Sequence, residues 1–171
     1  MRLFVVNDAP SRMLSRELCV WLTDVGAWPH VKFADAGQRD EACQYNYATL
    51  GALALPDYDE FVFADSDIRP HVDHTREFFA STADVVGCRY PVDKETAWDN
   101  PNIIHAGLWR TRREVLEAIG APWFLWEYDA NHTRVVRCLC EHFSRQAAAA
   151  GFSVAQAGWA MHETRGQRCR Q

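Results

Sequence analysis

Two periods alternate along this chain. Short apolar runs rich in β-branched and aromatic residues give way to stretches where apolar positions recur every three to four residues. Arg2-Leu3-Phe4-Val5-Val6-Asn7 is the first apolar run, closed by Asp8-Ala9-Pro10, and reads as a buried strand over residues 2–7. Ser11 is a candidate cap for the next helix, whose stripe of Met13, Leu14, Leu18, Val20, Trp21, Leu22 and Val25 ends at Gly26. Trp21 lies on that stripe and is expected in the core. Further strands are predicted over residues 31–34, 60–64, 84–89, 103–110 and 153–157. Helices are predicted over 41–55, 74–81, 113–119 and 132–150, with Pro56, Gly120 and Gly151 as stop signals.

Strands alternating with helices predict an α/β architecture with a mostly parallel sheet. A length of 171 residues and the absence of a Pro/Gly/Ser-rich linker fit one domain, residues 1–171. In open α/β sheets ligands bind beyond the carboxyl ends of the strands. Asp8, Asp35 and the pair Asp65/Asp67 each fall just past a predicted strand, so one sheet edge is the expected site.

The pair carries the most chemistry. In an extended chain, residues i and i+2 point the same way, so Asp65 and Asp67 share a side. Two like charges held together repel unless a cation lies between them. An oxygen pair at a strand end suits Mg²⁺ or Mn²⁺, whose remaining ligands are commonly substrate phosphates. The competing role for Asp67 is a turn residue before Arg69-Pro70.

Charge and cysteine content narrow the classes. A net charge of −5 argues against coating nucleic acid by bulk electrostatics. The basic tail from about residue 163, with Arg165, Arg168 and Arg170, is either a phosphate-binding arm or a solvated terminus. The N-terminus shows no signal-peptide pattern and no run reaches membrane-spanning length, so a cytoplasmic protein is expected. The six cysteines are then expected as reduced thiols. Cys138-Leu139-Cys140-Glu141-His142 is weak as a zinc site, because helical positions i and i+2 do not share a face.

The order of motifs resembles the nucleotide-sugar glycosyltransferases of the GT-A fold, especially their family 2-like, DxD-containing branch. The opening strand into Asn7-Asp8 resembles the one whose loop holds the nucleotide. Asp35 falls where the family places an acid that binds the base. Gln44 to Gly51, with Asn46, resembles the helix before the next strand. Phe63-Ala64-Asp65-Ser66-Asp67-Ile68-Arg69-Pro70 is similar to the DxD signature, and Ala106 to Leu116, with Gly107 and Trp109, to the segment lining the sugar pocket. Glu127-Tyr128-Asp129 is similar to the late acidic motif, and His162 is placed like a histidine that completes the metal site.

The resemblance implies a GT-A (Rossmann-like) three-layer α/β sandwich in compact single-domain form. It implies a hexosyltransferase-like, inverting enzyme that moves a sugar from a UDP- or GDP-linked donor with Mn²⁺ or Mg²⁺. The acceptor class stays open: glycan, lipid, small molecule, protein or modified nucleic-acid base. Asp65, Asp67 and His162 would hold the metal. Asn7, Asp8, Asp35, Asn46, Asp65, Gly107, Trp109 and Arg165 would contact the donor. Asp129 or Glu127 would be the base, its pKa raised by partial burial; a retaining enzyme needs none. Trp98, Trp109, Trp123 and Trp126 are expected near sugar faces.

His162 has a competing role as a surface histidine, and Asp129 as a helix-terminus acid. Two other functions fit parts of the pattern. A non-catalytic nucleotide-sugar or polyanion binding module suits the short length. A haloacid-dehalogenase-like phosphatase also places Asp-x-Asp after a strand, but needs it early, with a downstream lysine; beyond the pair, Lys94 is the only lysine here.

Overall fold

A computed structural model describes residues 1–7, 13–35, 37, 40–90 and 100–162. Asp8, Arg165, Trp98, Cys169 and Ser11 lie outside the described residues.

The elements follow the predicted alternation. Strands β1 (Arg2–Asn7), β2 (Val31–Ala34) and β3 (Glu60–Asp65) are separated by helices α1 (Arg16–Asp24) and α2 (Glu41–Leu53). A two-residue strand β4 (Ile68–Arg69) and a short helix α3 (Arg76–Ala80) lead to β5 (Val85–Arg89). Then come β6 (Leu108–Arg112), α4 (Arg113–Ile119), β7 (Glu127–Tyr128), β8 (Val135–Arg137), α5 (Leu139–Ala149), β9 (Val154–Trp159) and β10 (Met161–His162).

The main sheet has the order β2-β1-β3-β6-β5-β9. β1 is parallel to β2 and β3, and β5 is parallel to β9, while β6 is antiparallel to both β3 and β5. Five strands therefore share one direction and β6 opposes them. Period-2 alternation divides the core. Leu3, Val5, Phe61 and Phe63 face one layer with Tyr45, Phe124 and Phe143, whereas Phe4, Val6, Val62 and Ala64 face the other with Trp21, Leu22 and Phe78. Because both faces are covered, these strands read as continuous apolar runs. Trp21 is buried as expected, its indole N–H donating to Thr75 at 2.9 Å.

Several boundaries differ from the sequence expectation. Ser15 caps α1, accepting from Leu18 N–H at 3.0 Å. The strand expected from residue 103 begins at Leu108. The helix expected from residue 132 begins at Leu139, because Val135–Arg137 pairs antiparallel with Glu127–Tyr128 instead. Two adjacent β-branched valines favour the extended form once a partner strand is in reach. Among the described residues no helix is long and apolar enough to cross a membrane.

Candidate active site

The Asp-Ser-Asp segment stands where the central strands end. β1 and β3 run in register from Arg2↔Glu60 to Asn7↔Asp65, so Asn7 and Asp65 finish side by side. Asp65 N–H donates to Gly107 O at 2.8 Å, and Ser66 N–H to Asn7 O at 3.2 Å. The chain then turns and forms β4, which takes β10 as an antiparallel partner with His162 opposite Ile68. That pairing brings His162 to the carboxylates.

Gly158 makes the approach possible. Its φ is +68°, a Cβ there would lie 2.6 Å from His74 O, and the β5–β9 register shifts beside it. Only glycine takes this left-handed conformation without strain at so close a contact. Beyond it the chain leaves β9 and crosses to β4.

His162 Nε2 lies 3.1 Å from Asp67 Oδ1 and 3.6 Å from Asp65 Oδ2, and its ring is 1% exposed. One donor atom from each of the three residues lies within 4.8 Å of the others, a group that could hold a metal ion. Two carboxylate oxygens and one imidazole nitrogen suit a divalent cation of the Mn²⁺ type. Asn7 Oδ1 and Ser66 Oγ, both buried at this edge, have no hydrogen-bond partner among the described residues. Unsatisfied buried acceptors at the end of a sheet fit a site that receives a polar ligand.

Other expected donor residues are distributed unevenly. Asp35 is exposed just past β2, with Oδ1 accepting from Gly37 N–H at 2.8 Å, and lies on the same edge. Gly107 is also at this edge, but its close neighbour is protein. A Cβ there would meet Tyr90 OH at 2.7 Å. Asn46 spends its amide on a loop, donating to Phe124 O at 2.8 Å and accepting from Trp123 and Phe124 N–H at 2.9 and 3.1 Å.

Trp109 corrects the sequence expectation. It is fully buried and stacked on Phe63 at 4.3 Å, with Phe124 and Phe143 around it, so it contributes to the core and not to a sugar-facing wall. The reason is its face of the sheet: Trp109 stands opposite Phe63, on the side that packs against Phe124 and Phe143. Because β6 is antiparallel, its start lies at the site and its arginines lie at the far edge. There Arg110 pairs with Glu60 at 3.0 Å, while Arg113 donates to the carbonyls of Leu53, Leu55 and Tyr58. Trp123 is buried as well.

The late acids are both held in depressed states, opposite to the expected raised pKa. His142 Nδ1 lies 2.7 Å from Glu127 Oε1, and Arg137 pairs with Oε2. The His142 hydrogen bond, then the Arg137 charge, hold the Glu127 carboxyl below its ordinary value. Asp129 accepts from Thr133 N–H at 2.8 Å and Thr133 Oγ1 at 2.9 Å, and these bonds lower its pKa too. Asp129 therefore closes a turn before β8 and does not stand at a helix start.

Tyr45, Tyr90 and Gly158 were not singled out by sequence reasoning. Tyr45 OH is 2.8 and 2.9 Å from the two oxygens of Asp65. Tyr90 accepts from Leu108 N–H and packs 5.6 Å from the His162 ring. A glycine directly after the last predicted strand was the one available signal.

No protein-family model matches the chain, and no curated protein does either. Solved structures do. A197 from STIV superposes with a TM-score of 0.60 at 18% identity, covering 93% of this chain and 82% of that one. The catalytic domain of Drosophila β1,4-galactosyltransferase 7 in complex with xylobiose gives a TM-score of 0.58 at 18% identity over 92% of this chain. A mutant of the same Drosophila enzyme in complex with manganese, UDP-Gal and xylobiose gives 0.58 at 16% identity over 91%. This chain spans 64% of each Drosophila structure. The likeness shows the fold: a mixed α/β, Rossmann-like GT-A architecture.

Proposed function

We propose that this GT-A chain is a metal-dependent glycosyltransferase that moves a sugar from a nucleotide-diphosphate donor to an acceptor, working as one domain over residues 1–171. The observation that carries the reading is the convergence of Asp65, Asp67 and His162 at the carboxyl edge of a GT-A sheet. The Drosophila neighbour crystallised with manganese and UDP-Gal supports the same chemistry.

Asp65, Asp67 and His162 would hold the cation, and the imidazole favours Mn²⁺ over Mg²⁺. A divalent cation bound there supplies Lewis-acid neutralisation of the diphosphate leaving group. Asn7, Asp8 and Asp35 contact a UDP- or GDP-linked donor, Asp35 at the base. Arg165, outside the described residues, belongs to the basic tail assigned to the diphosphate. Transfer inverts the anomeric centre. Asp129 takes the acceptor hydroxyl proton, because the Thr133 donors on its oxygens are neutral, whereas Glu127 is ion-paired to Arg137. The acceptor is a glycan, lipid, small molecule, protein or modified nucleic-acid base.

A non-catalytic nucleotide-sugar binding module is the second reading. The depressed pKa of both late acids favours it, since a base should titrate near working pH. One experiment tests both. Nucleotide sugars are screened by thermal shift with Mn²⁺, and nucleoside diphosphate release is then assayed on the best donor. A bound donor raises the melting temperature by mass action. Stabilisation with turnover supports the transferase, and stabilisation without turnover supports the binder. Equal donor binding by wild type and Asp67→Ala rejects the metal reading.

A further inference from the structure

We propose that Tyr45 is a positioning residue of the metal site, its phenol fixing the carboxylate of Asp65 together with Asn7 so that Oδ2 is the oxygen turned to His162. The inference rests on the metal reading above and assigns a role to a side chain that touches neither metal nor sugar in that reading.

Tyr45 sits in α2 and is 1% exposed. Its ring is wedged 5.1 Å from Phe124, in the layer that also holds Phe63 and Trp109. From this fixed base the hydroxyl reaches 2.8 Å from Asp65 Oδ1 and 2.9 Å from Oδ2. It also lies 2.9 Å from Ala106 O. A phenol has one proton, and a charged carboxylate is a stronger acceptor than a neutral carbonyl. The proton therefore goes to Asp65.

The two carboxylate oxygens are not equivalent. Asn7 Nδ2 adds a second donor to Oδ1 at 3.3 Å, while Oδ2 is the oxygen 3.6 Å from His162 Nε2. The terminal torsion of aspartate is broad and roughly two-fold, so packing alone holds it poorly. The Tyr45 hydroxyl sits between the two oxygens and Asn7 adds its donor on the Oδ1 side, so together they hold one orientation without adding a charge that would compete with a cation. Groups that orient metal ligands in this way typically change affinity by 10–100-fold when removed.

The test titrates Mn²⁺ alone, without nucleotide, into wild type, Asp67→Ala and Tyr45→Phe, following free Mn²⁺ by electron paramagnetic resonance. Far-UV circular dichroism and thermal melts report the fold separately. Wild type should show one saturable site that Asp67→Ala removes. Tyr45→Phe should keep the fold and bind Mn²⁺ roughly 10–100-fold more weakly. A Tyr45→Phe protein with wild-type affinity overturns the inference and leaves the metal reading intact, even if its melting temperature falls. A wild type without saturable binding overturns both. Should Tyr45→Phe fail to fold, Asn7→Ala reports on the same carboxylate: weaker Mn²⁺ binding supports the clamp, and unchanged binding rejects it.

Discussion

His162 Nε2 lies 3.1 Å from Asp67 Oδ1 although 95 residues separate them in the chain. The contact exists because β10 pairs with β4, immediately after the Asp-Ser-Asp turn. Metal binding in this reading is therefore a property of a long-range strand pair. His162→Ala should lower Mn²⁺ affinity by at least about tenfold, since losses among supporting groups alone reach that size. Calorimetric titration measures this, and an unchanged affinity removes His162 from the ligand set.

Asp129→Asn should lower kcat by about 10²- to 10⁴-fold, the usual range for general-base catalysis. Mn²⁺ and donor affinity should stay unchanged. Steady-state kinetics on a responsive donor and acceptor decide it. If Glu127→Gln gives the larger fall, the roles of the two acids are reversed.

Glu127 also makes a pH-dependent contribution to stability. Its folded pKa is depressed, first by the His142 hydrogen bond and then by the Arg137 charge. A depressed carboxylate stabilises the fold above its unfolded pKa, and that stability is lost as pH falls through the folded value. Glu127→Gln should therefore destabilise by about 1 kcal/mol or less at neutral pH, as expected for half-exposed ion pairs. The gap between variant and wild type should close below about pH 4. Urea unfolding across that range measures it, and a gap that widens on acidification contradicts the assignment.

Gly107→Ala should cost about 1–3 kcal/mol, as overpacking in a close-packed interior does. The new Cβ would lie 2.7 Å from Tyr90 OH and 3.0 Å from Cζ. The Tyr90 ring would have to leave the position from which its hydroxyl accepts from Leu108 N–H. Chemical denaturation reports the cost, and wild-type stability would show that the ring yields freely.

Trp109→Ala should cost about 3–5 kcal/mol, the range for emptying a large aromatic site. The indole is stacked on Phe63 and fully buried. Near-UV circular dichroism and thermal melts should show a loosened core. A variant as stable as wild type would place this ring outside the core.

Much of the architecture was legible in the sequence, because both faces of the central strands are buried and the runs 2–7 and 60–65 are nearly continuous in apolar residues. The position of Asp65 and Asp67 past a strand was equally legible. The segment 132–138 was not. The extended preference of Val135 and Val136 competes there with a helical apolar spacing, and pairing of Val135–Arg137 with Glu127–Tyr128 decided between them.

By itself, the sequence determined the alternation of strands and helices, the sheet edge that carries the acids, and a carboxylate pair able to hold a cation. These follow from local periodicity, which side chains express wherever the segment ends up. Tertiary structure alone decided that β6 runs against its neighbours, sending Arg110 and Arg113 to the far edge, and that Trp109 takes the core face opposite Phe63. It also decided that His162 meets Asp67 and that Tyr45 holds Asp65. Strand direction and partner are chosen by packing between segments distant in sequence, and no local pattern encodes that choice.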